Sequence, residues 1–229
     1  MDIFAPFCYI ILIQKHEDYN IIKNLEIIKN LTKEDFEQKR ANLHIHTTYS
    51  DGCATFSEVV QQAKDKDYKI IAITDHNTVQ GHLDYPNENV LTGVEFDVWY
   101  KYIFLHLLAY GIDVNAEGMQ EFYAKDKRGT EMDILRFFAK RDIKKLIEQI
   151  HHAGGIAVLA HPACCWALNM EQFIKDLVDI GLDGLEVYYP YPRWRKYIKF
   201  SNPDDLERIA DKYGLIKTGG TDLHEKFLQ

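Results

Sequence analysis

The chain has 229 residues, 46% of them hydrophobic and 27% charged, with a formal net charge of −8. That size suits one large α/β domain, and the acidic balance excludes salt-driven wrapping of long nucleic acid, which needs a basic surface. A small anionic substrate stays compatible, because bound divalent ions change the charge locally.

Residues 1–40 lack the rhythm of the rest of the chain. An apolar run from Phe4 to Ile13 leads into a polar stretch that reads as helical over roughly 20–40. The run is too short to span a bilayer and has neither the basic start nor the cleavage site of a secretory leader. We expect residues 1–40 to be an extension packing on a barrel built by 41–229. Leu43–His46 reads as a short strand. Thr55, with Glu58 three places on, is a capping box that opens a helix, and Val59, Val60 and Ala63 supply its apolar face.

Lys69–Thr74 and Val90–Glu95 read as strands. Tyr102–Tyr110 comes after a connection too short for a helical crossover, which predicts an antiparallel pair. A long helix is expected from about Glu131 to His152, stopped at Gly154–Gly155. Then come a strand at Ile156–Ala160, a helix capped by Asn169, and a strand at Gly184–Tyr188. A helix from Asn202–Pro203 ended by Gly214 and a last strand at Leu215–Thr218 complete the series. Seven strands mostly separated by helices predict a parallel sheet, most simply closed as a barrel. Cys8, Cys53, Cys164 and Cys165 show neither CxxC spacing nor a disulfide framework, which predicts a reducing cytoplasm.

Six of the ten histidines join three carboxylates to make nine candidate metal ligands: His44, His46, Asp51, His76, Glu95, His106, His161, Asp222 and His224. All but His106 sit at or just beyond the end of an apolar run, the catalytic face of an α/β barrel. Imidazole with carboxylate suits manganese, iron or zinc better than the oxygen-only sites of calcium or magnesium. His44-Ile45-His46 turns both imidazoles to one face of a strand. Alone the pair is weak; joined to Thr47 through Gly52 it is specific. His76 comes after a buried strand and Asp75, where burial without a partner would be costly. A lone histidine in an apolar strand, as at His106, is more often a hydrogen-bonded core residue, and its eight companions reverse that expectation.

In order, HIHTTYSDG, ITDHNT, GVE, HLLAYG, AHP, GLEVYYP and GGTDLH resemble the motifs of the PHP (polymerase and histidinol phosphatase) family over about residues 41–225. Their order and spacing look most like the small stand-alone phosphoesterases that act on nucleotides or short oligonucleotides. The resemblance implies a distorted (β/α)7 TIM-like barrel, the PHP fold, with two to three divalent ions. It also implies that His44, His46, Glu95 and Asp222 hold the first ion. Glu95 would bridge to a second, completed by His106 and His161, and Asp51, His76 and His224 would hold a third.

Such ions imply metal-activated hydroxide attacking a phosphate ester in line. His161, His224 and Asp75 are the candidate catalytic residues. The leaving-group proton comes from a histidine or from water, and Asp75 either orients a ligand or caps a turn. Glu186 is expected beside the ligands. Beyond the metals, the tract Tyr188–Arg195 offers arginine for phosphate and aromatic rings for a base; the plain alternative is a packed surface loop with snorkelling arginines. Arg193 is the expected phosphate anchor, with Arg128, Ser50 and Tyr188 as further substrate contacts.

The expected function is a metal-dependent phosphoesterase acting on a nucleotide, nucleoside bisphosphate or short oligonucleotide, with no membrane partner. A histidinol-phosphate or sugar-phosphate phosphatase is a variant within that class. An amide (C–N) hydrolase and a non-catalytic metal-stabilised binding module are the readings from other classes.

Overall fold

Stretches such as Ile70–Ile73 and Ile156–Leu159 are apolar at every position, so neither of their faces can meet water. Both are buried throughout in the computed structural model, which describes residues 26–87, 89–190 and 203–228. The strands are β1 (Ala41–Asn42), β2 (Ile70–Ile73), β3 (Val90–Tyr100), β4 (Ile103–Tyr110), β5 (Ile156–Leu159), β6 (Gly184–Tyr188) and β7 (Ile216–Gly219). They form one sheet in sequence order. Pairing is parallel except at β4, which runs antiparallel to both β3 and β5.

The sheet closes on itself along a seam. Leu43 N donates to Gly219 O (3.0 Å), His46 N to Leu223 O (2.9 Å) and Leu223 N to His44 O (3.2 Å). The result is a distorted (β/α)7 TIM-like barrel. Its helices are α1 (Lys33–Glu37), α2 (Phe56–Asp65), α3 (Gln80–Asp84), α4 (Arg128–Glu131), α5 (Asp133–Phe137), α6 (Ile143–His152), α7 (Met170–Val178) and α8 (Pro203–Tyr213). The capping box at Thr55 and Glu58 opens α2, and Asn169 caps α7 by accepting from Gln172 N, both at the positions expected from sequence.

Several expected elements differ, and β3 runs on to Tyr100, past its expected end at Glu95. The strand expected at Leu43–His46 ends earlier, at Asn42, because side chains take over its ladder. Asn42 accepts from His44 N (3.2 Å) and Thr221 N (3.1 Å), and Thr74 Oγ1 accepts from Ile45 N (3.2 Å). The long helix expected over Glu131–His152 is three pieces, α4, α5 and α6. Asp142 is extended and caps α6 through Lys144 N and Lys145 N, while the Arg141 guanidinium reaches back to Phe122 O and Asp97 O. Tertiary partners outbid the helical pattern there.

Of the expected extension, residues 1–25 lie outside the described residues, as do Phe4–Ile13, Cys8 and His16. Ile28 and Leu31 are buried in one cluster with Ala41, Leu43, Ala72 and Val158. Among the described residues, no helix is long and apolar enough to cross a membrane.

Fully buried Tyr110 donates its hydroxyl to Leu43 O (2.8 Å), anchoring the chain just before His44. Tyr110→Phe is expected to lower the unfolding free energy by about 1 kcal/mol. Denaturant unfolding checks this: the midpoint should drop with an unchanged slope. An unmoved midpoint would mean that the bond adds nothing.

Candidate metal centre

The strands and the residues just beyond them deliver the ligands to one mouth of the barrel. His44 and His46 leave β1, His76 comes after β2, Glu95 lies in β3, His106 in β4, His161 comes after β5, and Asp222 and His224 come after β7. The antiparallel register sets Asp97 opposite His106 and Glu95 opposite Leu108, which is how a histidine in mid-strand reaches the group. Three sets converge: His46, Asp51, His76 and His224; His44, His46, Glu95 and Asp222; and Glu95, His106 and His161. Within each set the ligand atoms lie within 4.8 Å of one another.

Glu95 is the hub. Its Oε2 lies 3.2 Å from both His44 Nε2 and His46 Nε2 and 3.3 Å from His76 Nε2. Its Oε1 lies 3.0 Å from His106 Nδ1 and 3.2 Å from His161 Nε2. Asp222 Oδ1 approaches His46 Nε2 (3.1 Å) and His44 Nε2 (3.4 Å). Asp51 spans His224 Nε2 (3.3 Å) and His76 Nε2 (3.8 Å).

These atoms pass a direct test for metal. His44 Nε2, His46 Nε2, Asp51 Oδ1 and Glu95 Oε2 are buried and make no hydrogen bond. Buried polar atoms are ordinarily paired, and neutral imidazole with carboxylate is a donor set for zinc, manganese or iron. The far sides of the rings are held by further carboxylates. Glu186 takes His44 Nδ1 (3.0 Å) and the backbone N–H of His161 (2.8 Å). Asp97 lies 3.2 Å from His106 Nε2 and 3.7 Å from His76 Nδ1. Such outer carboxylates fix ring orientation and raise ligand basicity.

The electrostatics show how strongly the cluster seeks positive charge. Burial opposes protonation of His46, yet Asp222 and Glu95 outweigh it and push its pKa up to about 9. Burial likewise opposes charge on His106, and Glu95 with Asp97 carries it to about 9. His76 goes the other way, held down at about 3 by burial and by the neighbouring imidazoles. Burial disfavours the charge of Glu95, but His44, His106 and His76 keep it well below the usual carboxylate range. Two ligands also hold strained backbone: His161 has φ 29° and Asp222 φ 50°, at about 1–3 kcal/mol each.

The substrate and catalytic candidates fare differently from the ligands. Asp75 accepts from Thr47 N (2.7 Å), Thr47 Oγ1 (2.7 Å) and Ser50 Oγ (2.6 Å). It therefore anchors the loop carrying Asp51, and Ser50 is a buried part of that anchor. Arg128 is exposed and paired with Asp126, pointing out of the mouth because its fork is taken locally. Tyr188 turns away as well, its hydroxyl on Glu207 (3.1 Å) and its ring against Phe36, because the register shift between Glu186 and Tyr188 breaks the alternation that would put it on the face of Glu186. Its neighbour, Tyr189, donates to Asp222 Oδ2 (3.0 Å). Arg193 lies outside the described residues, as does the rest of the tract from Tyr191 to Arg195.

Sequence reasoning missed Asp97 and Arg136, and placed Tyr189 only within the substrate tract. Asp97 had a signal: two residues from Glu95 in a strand, it must share that face. Arg136 had none: in sequence, the basic residues mixed with Ile134, Leu135, Phe137 and Phe138 read as an amphipathic helix and not as a ligand surface.

The PHP domain model matches residues 42–183. An uncharacterized protein of Methanocaldococcus jannaschii is 30% identical over 173 residues, covering 67% of this chain and 84% of its own. The phosphoribosyl 1,2-cyclic phosphate 1,2-diphosphodiesterase of Eggerthella lenta is 24% identical, covering 81% and 94%. Among solved structures, an amidohydrolase from Chromobacterium violaceum with bound sulfate superposes with a TM-score of 0.65 at 20% identity, covering 81% of this chain and 88% of its own.

Proposed function

The chain belongs to the PHP domain family, and from that premise we propose that it hydrolyses the phosphate ester of a small substrate, a nucleotide, nucleoside bisphosphate or short oligonucleotide. Its reaction class is metal-dependent hydrolysis of phosphoric ester bonds. The observation that carries the reading is Glu95, one buried carboxylate facing five imidazoles. Two of the facing atoms, His44 Nε2 and His46 Nε2, are buried without hydrogen-bond partners.

We assign the ions, two or three in number, to the three sets of residues that converge on this mouth. When bound, manganese, iron or zinc there supplies an activated water near neutral pH and neutralises phosphoryl oxygens. The chain's own residues do the rest. Glu95 presents one oxygen to each of two sets and so fixes their separation. Glu186 and Asp97 hold the rings of His44 and His106 in place. His224 Nδ1 lies 3.0 Å from Asp222 O, its hydrogen-bond acceptor, which leaves Nε2 facing Asp51. His161 Nε2 faces Glu95. Both histidines are therefore assigned to holding ions, and the leaving-group proton to water.

Beside the centre, a cleft of about 550 Å³ is lined by His106, Asp97, Arg136, Phe104, Ile134 and Phe137. That is room for a substrate of nucleotide size. A sugar phosphate is the second reading, favoured by the phosphoribosyl substrate for which the Eggerthella lenta relative is named. The fold alone does not separate these from amide hydrolysis. We take residues 26–40, the described part of the expected extension, as packing on the barrel, supported by the burial of Ile28 and Leu31. We take the compartment as the reducing cytoplasm, supported by Cys53 and Cys164, which are free thiols.

The test is phosphate release from a panel of nucleoside mono- and bisphosphates, short oligonucleotides and sugar phosphates, with amides alongside. It is run with manganese, with chelator and with Asp222→Ala. Turnover of a nucleotide substrate that vanishes in both controls is expected. Amide turnover without phosphate release would sink the proposal.

A further inference from the structure

Helix α5 is built inside out. Arg136 is its buried residue, 6% exposed, while Ile134, Leu135, Phe137 and the adjoining Phe138 face solvent. Burying a guanidinium and exposing four large apolar groups are both unfavourable, so something at the buried end must hold the helix there. Arg136 NH1 donates to Asp51 Oδ2 (2.8 Å) and to Thr130 O (3.4 Å), and NH2 donates to Asp133. Its Nε is buried without a partner and lies 3.9 Å from Asp97 Oδ1. A cation supplied by the chain itself thus sits between two carboxylates of the centre.

Its charge limits what else the centre can take. Among the described residues, five carboxylates touch the imidazoles: Asp51, Glu95, Asp97, Glu186 and Asp222. Against the single charge of Arg136 they leave four negative charges, which two divalent ions balance, since imidazoles bind ions in neutral form. A third ion would leave two positive charges uncompensated in a partly buried site, an unfavourable state until an anion arrives. The donor sets point to which ion is third. The set around Glu95 and Asp222 has two carboxylates, and Glu95 with His106 and His161 is largely buried. The set of His46, Asp51, His76 and His224 has one carboxylate, already engaged by Arg136.

We propose that the centre holds two ions firmly in the sets that share Glu95, and takes up a third at His46, Asp51, His76 and His224 only together with the phosphate of its substrate. This rests on the metal-dependent function proposed for the site. A phosphate dianion cancels the excess charge of the third ion, so each raises the affinity for the other by the same factor.

The experiment counts manganese ions bound per chain by equilibrium dialysis, with and without inorganic phosphate, on the full chain. Two ions are expected without phosphate and three with it, the third tightening about tenfold or more. Arg136→Gln removes the competing charge and is expected to bind three ions without phosphate; Arg136→Lys keeps the charge and is expected to behave as the parent does. Three ions bound with equal affinity with or without phosphate, or Arg136→Gln still needing phosphate, would overturn the inference. A parent chain that binds no ions would instead overturn the metal reading beneath it.

Discussion

Replacing Glu95 with alanine is expected to empty two of the three ligand sets and lower kcat/KM at least about a thousandfold, roughly 4 kcal/mol of transition-state stabilisation. Its two oxygens face His44, His46 and His76 on one side and His106 and His161 on the other, so among the described residues it alone belongs to both sets. Removing the carboxylate takes away only part of what draws protons onto these rings, since Asp222 still faces His46 and Asp97 still faces His106. Glu95→Gln, which keeps the shape without the charge, should lose nearly as much. The measurements are metal content after dialysis and kcat/KM on the best substrate of the panel. Arg128→Ala, at an exposed arginine paired with Asp126, is the contrast and should change kcat/KM less than about twofold. Full metal content in Glu95→Ala would remove the central role of this carboxylate.

Chelation is expected to lower the unfolding free energy by about 5 kcal/mol, since each ion at a hundredfold excess over its Kd adds about 2.7 kcal/mol and the proposal counts two held firmly. The loss should depend on pH with a definite sign. In the metal-free protein, His46 and His106 are raised from 6.5 to about 9. A raised pKa stabilises the fold fully below about 6.5, and that contribution is lost as pH climbs through 9. Ion binding takes the opposite course, because ligands must shed protons first. Melting curves of chelated and loaded protein should therefore diverge between pH 6.5 and 9, the chelated form weakening and the loaded form holding. Parallel curves across that window would show that these two imidazoles do not bind the ions.

The ligands were legible because nearly every one lies at the end of an apolar strand, and a strand end in a barrel is a fixed place in space. Capping residues such as Thr55 and Asn169 were legible because their effect is local. What stayed hidden depended on long-range partners. Helix α5 carries an amphipathic pattern that predicts Phe137 and Phe138 inward; the ion pair of Arg136 with Asp51, 85 positions away, turns it over. Asp142 looked like the interior of a helix until its pairing with Trp99 made it a cap. Tyr188 and Tyr189 are equivalent on paper, and only the exact end of β6 decides which hydroxyl meets Asp222.

The seam between β1 and β7 sets the order in which the metal centre comes to life on the ribosome. His44 and His46 emerge early, whereas Asp222 and His224 are the last of the ligands, and two of the three sets need residues from both sides. The set of Glu95, His106 and His161 is finished as soon as β5 and the residues just beyond it have been made. In a nascent chain halted before residue 222, that set is thus complete while each of the others lacks one ligand. The others load when the final strand zips against the first, so a full complement of metal certifies that the barrel has closed.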